Sequence, residues 1–389
     1  MIPSALGIPA FLPEPGLRAL AASLPAVMTE FSPLDHDPFG AVAKLTRKKL
    51  FSHVVPEAHG GAVSPSGRPE ALDVRALCLV REALGYVSPL ADSIFAVQGL
   101  GSYPLVLAPD FDGREAILHE VARGERVCAF ALTEPEAGSD VASMTTTAER
   151  DESGAWLLTG EKILISNVGI AHHYVVFANA DPAAGKKGIS AFLVSARADG
   201  LELVSMPVSG GHPLGRLLLT SCKAERLIGE VGQGLRLALG TLDVFRTSVG
   251  AAACGMARRA LDCATSHVRS RIQFGKRLVD QQLTQAALAE MWTELEASRL
   301  LVYRAAHARD TGDPEASLFV AMAKMHATEA AQLIIDRAVQ LHGGRGVLSG
   351  EIVEQLYRDV RPLRIYEGTT EIQKLILGGS FAKAPPSTG

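Results

Sequence analysis

A single carboxylate in a short apolar stretch is the residue best placed to do chemistry. Glu367 follows Ile365 and Tyr366 and precedes Gly368 and a predicted helix start at Thr369. Placed there, its side chain is set to lose part of its water, which favours the neutral form and moves the pKa towards that of a useful general base. The same residue can also be read as a capping or solvated glutamate. A second segment, CAFALTEPEAGSD at 128–140, begins as an apolar strand and then turns sharply. Thr133 and Ser139 there set hydroxyls beside backbone amides freed by the turn, a place able to cradle a polar planar ring or a phosphate-bearing tail. Taken singly, Thr, Pro, Gly, Ser and Asp also simply build loops. Asp243 and Arg246 lie three apart on a predicted helix and share a face, as an ordinary surface ion pair would.

Other chemistries find no support. No G-x-G-x-x-G follows a predicted strand, and there is no Walker loop, H-E-x-x-H or G-x-S-x-G elbow. His172 and His173 are adjacent, whereas ligands on one strand would alternate, so they read as the surface start of a strand and no metal is expected. The net charge of −4, with no basic stripe, argues against a nucleic-acid partner. The five cysteines, Cys78, Cys128, Cys222, Cys254 and Cys263, form no C-x-x-C pair and read as reduced thiols of a cytoplasmic protein. The opening MIPSALGIPAFLPEPG has no basic n-region, and no apolar run approaches the length needed to cross a bilayer, so no membrane association is expected.

Three regions must position these residues. Residues 1–127 read as a helical domain with Pro- and Gly-rich breaks: DGREAILHEVARGERV at 112–127 has Ile117, Leu118 and Val121 at helical spacing and Gly124 as a stop, and 55–69 is loop by composition. Residues 128–232 change to short apolar runs (WLLTG, KILIS, YVVFA, ISAFLV) separated by turn residues, which fits a small antiparallel barrel or sandwich. In 233–389 the helical period returns. Leu242, Phe245, Val249 and Met256 share one face, and Leu288, Met291, Leu295 and Val302 another. Asp313 and Pro314 look like N-cap and N1 of a helix running to His342, with Gly343 at its stop, and two further helices are predicted in LYRDVR and TTEIQKLIL. A bundle of long antiparallel helices follows.

The segment CAFALTEPEAGSD resembles the flavin signature of the acyl-CoA dehydrogenase family nearly letter for letter, and the resemblance continues in register. GEKILISN at 160–167 is similar to the family's second flavin strand, RIQFGKRLVDQQ at 271–282 to its R-x-x-F-G-K segment, QLHGGRG at 340–346 to its Q-x-x-G-G helix end, and RDVRPLRIYEGTTEIQ at 358–373 to its catalytic signature. The resemblance implies an α+β fold: an N-terminal all-α domain, a middle antiparallel β-barrel domain and a C-terminal four-helix bundle. It implies FAD as cofactor. Phe130, Leu132 and Thr133 would lie along the isoalloxazine ring, Ser139 against the pantetheine arm or the flavin phosphates, and Leu164, Ile165 and Ser166 on the second strand, where the family often has Trp-Ile-Thr. Arg271, Gln273, Phe274, Gln281 and Gln282, with Gln340, Leu341, Gly343 and Gly344, would hold the adenine dinucleotide part, and Thr369 and Glu371 the flavin. Asp243, Arg246 and Gly368 would meet substrate. An arginine suits a pyrophosphate because its planar fork donates two hydrogen bonds.

The resemblance also implies the reaction. Glu367 removes the α-proton of an acyl thioester, the β-hydrogen leaves as hydride to flavin N5, and a trans-2-enoyl thioester results. The thioester oxygen would accept hydrogen bonds from the flavin ribityl hydroxyl and from the Glu367 backbone amide. Some family members carry the base just before the arginine of D-x-x-R; here that residue is Phe245, which cannot accept a proton. The expected partners are acyl-CoA, or an acyl carrier protein thioester, and an electron-transfer flavoprotein, with a homotetramer or homodimer as the assembly. The alternatives are a same-fold oxidase and, from a different class, a DNA-binding relative, which the net charge of −4 disfavours.

Overall fold

The computed structural model describes residues 11–383; the opening MIPSALGIPA and the Pro/Ser tail lie outside them. Helix starts follow the local chemistry. α1 (Pro15–Val27) and α2 (Pro38–Arg47) each begin with proline, and Asp37 caps α2 by accepting the Phe39 amide. α3 (Val74–Val87) and α4 (Pro89–Leu107) follow. α5 (Arg114–Arg123) stops at Gly124, whose φ of +74° ends the helix, as the sequence predicts.

The middle of the chain forms one eight-stranded sheet: β1 (Cys128–Ala131), β2 (Thr147–Arg150), β3 (Trp156–Ser166), β4 (His173–Asn179), β5 (Ile189–Ser195), β6 (Leu201–Ser205), β7 (Leu214–Lys223) and β8 (Arg226–Ile228). The path is β6-β7-β3-β2-β4-β5-β8, with β1 beside β4. The sheet is not wholly antiparallel, because β1 and the end of β2 share one edge of β4 and both run parallel to it. WLLTG and KILIS are one strand, β3, because Gly160 is accommodated at a register shift against β7 without breaking the pairing. His173 corrects the expectation of a surface position: its ring is buried, 2.9 Å from both the Arg126 guanidinium and the Glu225 carboxylate, whereas His172 is exposed.

The helical remainder comprises α6 (Gly234–Ser270), a short hairpin of β9 (Ile272–Gln273) and β10 (Lys276–Arg277), α7 (Gln282–Thr311), α8 (Ala316–His342), α9 (Ile352–Val360) and α10 (Thr370–Lys383). The predicted apolar faces are the buried ones except at Leu288, which is half-buried: Phe245, Val249, Met291, Leu295 and Val302 are fully covered. Asp313 accepts the Glu315 amide at 2.8 Å and forms a turn, so α8 starts at Ala316 and not at Pro314. Two helices do reach the length and mean hydropathy of a membrane span, contrary to expectation, but the α4 window is 83% buried and the one beginning at Ala316 is 56% buried, as core helices are.

Two compact units result. One contains His36–Asp73 and Leu90–Phe245, with the sheet at its centre; the other contains the described residues up to Asp35, Val74–Pro89 and everything from Arg246 onward. Within the helical unit α7 and α8 pair along their length, and α3 packs on α7. Asp310 of α7 accepts the Val74 and Arg75 amides that open α3. α3 also meets α6 at backbone contact distance, since a Cβ on Gly255 would collide with the Glu82 carbonyl. Replacing Gly255 by valine is therefore expected to cost about 1–3 kcal/mol, seen as a lower midpoint in chemical denaturation, while a change at Gly378, which faces open space, leaves the midpoint near wild type.

Candidate active site

The segment between α9 and α10 passes through a single helical turn at Arg361–Arg364 and then reverses its backbone. Glu367 has φ +53° and Gly368 φ +92°. Left-handed backbone is costly for a residue with a Cβ, on the order of 1–3 kcal/mol, and persists only where its surroundings over-determine it. Six non-glycine residues in the described chain have positive φ, and three of them, Leu164, Phe274 and Glu367, are among the residues singled out from sequence. At Gly368 a side chain is disfavoured by the positive φ, and a Cβ would also force the Gln373 side-chain nitrogen, 2.6 Å away, to shift.

Three donors fix this turn. Arg246 Nε, from α6, donates to the Glu367 carbonyl at 2.9 Å. Lys324 Nζ, from α8, donates to the Gly368 carbonyl at 2.7 Å, and Gln373 Nε2 donates to the same oxygen at 3.1 Å. Glu329, further along α8, accepts the Thr370 hydroxyl at 2.6 Å and pairs with Arg364 at 2.6 Å, which ties down both ends of the segment. Thr369 caps α10 by accepting the Ile372 amide. Lys324 is completely buried; burial draws its pKa down to about 8, with Glu367 the strongest influence in the opposite direction. The Glu367 side chain itself is half-buried, and Glu371 is exposed. Lys324, Glu329 and Gln373 were not singled out from sequence, where charged or amide residues in a long helix read as its solvated face.

In the sheet unit the signature segment is anchored by a buried ion pair. Glu134, just after β1, meets Lys162 of β3 at 2.7 Å, with the two side chains 2% and 0% exposed. The same carboxylate accepts the Thr145 and Thr146 amides, and Lys162 also donates to the Leu132 carbonyl. Burial alone would raise the Glu134 pKa; the Lys162 charge and hydrogen bond, with the Thr145 and Thr146 donors, outweigh it and hold it at about 2. Neither Glu134 nor Lys162 was picked out from sequence, although both lie inside the matched motifs.

This anchoring settles which neighbours face outward. Leu132 and Ile165 are buried, Phe130 packs edge-on against Phe177 at 4.9 Å, and Ser139 is exposed. Leu164 lies in an irregular stretch of β3, between Lys162 and Ile165, where the register against β7 shifts; its φ is +56° and its side chain 53% exposed. Thr133, whose carbonyl accepts the Ile163 amide, and Ser166 carry half-buried hydroxyls. Phe245, fully buried, stands edge-on to Tyr103 at 5.8 Å. Asp243 is half-buried.

At the far ends of α6 and α8 the His267 and His342 rings stack at 4.5 Å. Partial burial depresses the His267 pKa, and His342, Arg345 and Arg271 depress it further, so cationic and nitrogen donors gather here. Gly343 and Gly344 have open space where a side chain would be, and Gln340 is exposed and Leu341 half-buried. Phe274, at the tip of the hairpin, is 97% exposed, with Arg271 exposed, Gln273 and Gln281 half-buried and Gln282 at the start of α7.

Family models for the acyl-CoA dehydrogenase middle and C-terminal domains match residues 129–222 and 232–381. The chain belongs to the acyl-CoA dehydrogenase family. It is 35% identical to a 3-(aryl)acrylate reductase of Clostridium sporogenes over 89% of this chain and 91% of that one. It is equally identical to the human mitochondrial short-chain specific acyl-CoA dehydrogenase, over 89% and 83%. Its identity to the CarC subunit of the caffeyl-CoA reductase-Etf complex of Acetobacterium woodii is 34%, over 87% and 89%. Among solved structures it resembles butyryl-CoA dehydrogenase of Megasphaera elsdenii (TM-score 0.86, 29% identity, 95% and 98% covered). It also resembles a prolyl acyl carrier protein oxidase (0.84, 25%, 94% and 98%) and an acyl-CoA dehydrogenase of Bacillus anthracis complexed with FAD (0.82, 26%, 98% and 68%).

As an acyl-CoA dehydrogenase the protein is an oxidoreductase that uses FAD, and its residues fit that group. The half-buried hydroxyls of Thr133 and Ser166 suit the polar edge of a planar ring, and the cluster of Arg271, His267 and His342 beside the open glycines suits a pyrophosphate. The Glu134–Lys162 pair supports the first of these from behind. Its pH dependence follows from the sign of the shift: the Glu134 pKa is depressed from 4.5 to about 2, so its stabilisation is complete above 4.5 and is lost as pH falls through 2. Lys162→Met, which strands the buried carboxylate, is expected to cost about 3–5 kcal/mol at pH 7 and to move acid unfolding to higher pH, both measured by far-UV circular dichroism.

Proposed function

We propose that this acyl-CoA dehydrogenase oxidises a saturated acyl-CoA of fatty acid metabolism to its trans-2-enoyl thioester, with Glu367 as the base that takes the α-proton. The observation that carries the reading is the turn itself: a carboxylate on left-handed backbone, both carbonyls of the Glu367–Gly368 pair held by side chains from three helices. Such fixation keeps the carboxylate in one place, and orientation of this kind lowers the barrier to proton transfer. FAD, when bound, supplies the two-electron acceptor that takes the β-hydrogen as hydride at N5. The Glu367 backbone amide donates to the thioester oxygen as negative charge grows there, a contribution of about 3 kcal/mol. Arg246 serves the turn through Nε, and the D-x-x-R pair of Asp243 and Arg246 is proposed to bind the CoA portion. Phe245 leaves the alternative base position without a proton acceptor.

Electron-transfer flavoprotein is the proposed acceptor, in line with the relative named for its complex with one. The likeness to a prolyl acyl carrier protein oxidase supports a second reading, in which a carrier protein presents the acyl group or oxygen takes the electrons. The higher identity to the short-chain acyl-CoA enzyme favours CoA. The exposed Trp292, Leu333 and Leu375 support a homotetramer or homodimer, and the protein is proposed to work in the cytoplasm.

Anaerobic mixing of the yellow protein with a panel of acyl-CoA thioesters and one acyl carrier protein thioester tests this reading. At least one acyl-CoA should bleach the flavin, and Glu367→Gln should retain FAD while its bleaching rate falls by about 10²–10⁴-fold. A wild-type protein that no thioester bleaches would overturn the proposal.

A further inference from the structure

Lys324 stands outside every segment that marked the site. It lies on α8 in AMAKMHATEAA, a stretch that reads as ordinary amphipathic helix. In the structure it is 0% exposed, with Ala321, Ala327 and Thr328 of its own helix buried around it. Burying an ammonium group is costly, several kcal/mol even after relaxation, and a methionine would fill the same space without that penalty. Two features offset the cost here: a 2.7 Å hydrogen bond to the Gly368 carbonyl, and carboxylates close enough to interact.

We propose that Lys324 is a positioning residue for the catalytic base: its ammonium locks the Gly368 carbonyl, and with it the left-handed turn at Glu367, and it sets a positive charge beside that carboxylate. The proposal rests on Glu367 being the base. The charged groups that bear on this turn are Arg246 from α6, Lys324 and Glu329 from α8, Arg364 from the preceding turn, and Glu371 from α10. Arg364 pairs with Glu329, Arg246 Nε donates to the Glu367 carbonyl, and Lys324 is a buried cation whose largest charge interaction is with Glu367 itself. With a pKa of about 8 it remains protonated at neutral pH. A cation beside a carboxylate favours the ionised form, which is the form that can accept a proton. Arg246 thus holds the Glu367 carbonyl, and Lys324, together with Gln373, holds that of Gly368.

The test compares Lys324→Met, Lys324→Gln and Lys324→Arg in the FAD-loaded enzyme, with flavin content and melting temperature recorded for each. Two readouts are taken: the pH dependence of kcat and KM with the best acyl-CoA of the panel, and the titration of the Glu367 carboxyl by difference infrared spectroscopy, its band assigned by loss in Glu367→Gln. Lys324→Met should lower kcat more than tenfold with little change in KM, and should raise both the acidic limb of the profile and the infrared pKa by about one unit. Lys324→Gln keeps a donor without the charge, so it should recover part of kcat and none of the pKa. Lys324→Arg keeps the charge and should return the pKa towards wild type. A folded, FAD-loaded Lys324→Met with wild-type kcat and unshifted Glu367 titration would overturn the proposal, as would Lys324→Arg and Lys324→Gln showing the same shift. If Lys324→Met does not fold, the Gln and Arg pair decides. If no thioester bleaches the wild type, the dehydrogenase reading fails on its own, and the infrared titration still reads whether Lys324 governs the Glu367 carboxyl.

Discussion

Two consecutive residues with left-handed backbone, Glu367 and Gly368, leave two carbonyls that must find donors inside the protein, and the helical unit is arranged to supply them. Gln373 of α10 supplies one donor locally, and the other two come from side chains long enough to reach across helix spacing, Arg246 on α6 and Lys324 on α8. Those reaches work only if α6 and α8 lie at a fixed separation. Small residues set it: Gly250 of α6 faces Val302 of α7 and Ala327 of α8, and α6 meets α3 at Gly255 with no room for a Cβ. Loosening this packing would therefore act on the base turn before it acted on any substrate contact.

The sheet unit meets a similar problem with similar means. A sharp turn after β1 must present hydroxyls at a reproducible place, and a loop alone would not hold them. The Glu134–Lys162 pair, buried between β1 and β3, binds the turn by four hydrogen bonds: three that Glu134 accepts from Thr145 and Thr146 and one that Lys162 donates to the Leu132 carbonyl. A buried ion pair is weak evidence for net stability, but it is specific about geometry, since any other register would leave both charges uncompensated. In both units the chain accepts buried charge in exchange for a fixed backbone next to the chemistry.

Much of this was legible in the sequence, and the parts that were not share a cause. Local signals worked where the physics is local. Gly124 and Gly343 end their helices, Thr369 starts α10, and β4 and β5 fall on YVVFA and ISAFLV. Glu367 stood out because its neighbours are apolar, and the ordered motifs placed it in the acyl-CoA dehydrogenase family. Lys324 and Glu329 did not stand out, because a charge within a long helix looks solvated until the partner that buries it is known. His173 was read as exposed for the same reason; Arg126 and Glu225, distant in sequence, enclose it. β7 was missed because its leucine-rich run, LGRLLLTSCK, has Thr220 as its single β-branched residue and so does little to announce a strand. Leu164, noted only as a departure from the usual aromatic, owes its exposure to a register shift that the alternation of β3 does not reveal.

The central claim is that Glu367 moves the α-proton. Exchange of that proton can be followed apart from oxidation, by nuclear magnetic resonance of an acyl-CoA in D₂O under anaerobic conditions with the FAD-loaded protein. The account predicts that wild type introduces deuterium at the α-carbon and that Glu367→Gln, still binding FAD and thioester, does not. Exchange that continues in Glu367→Gln at the wild-type rate would contradict it and place the base elsewhere.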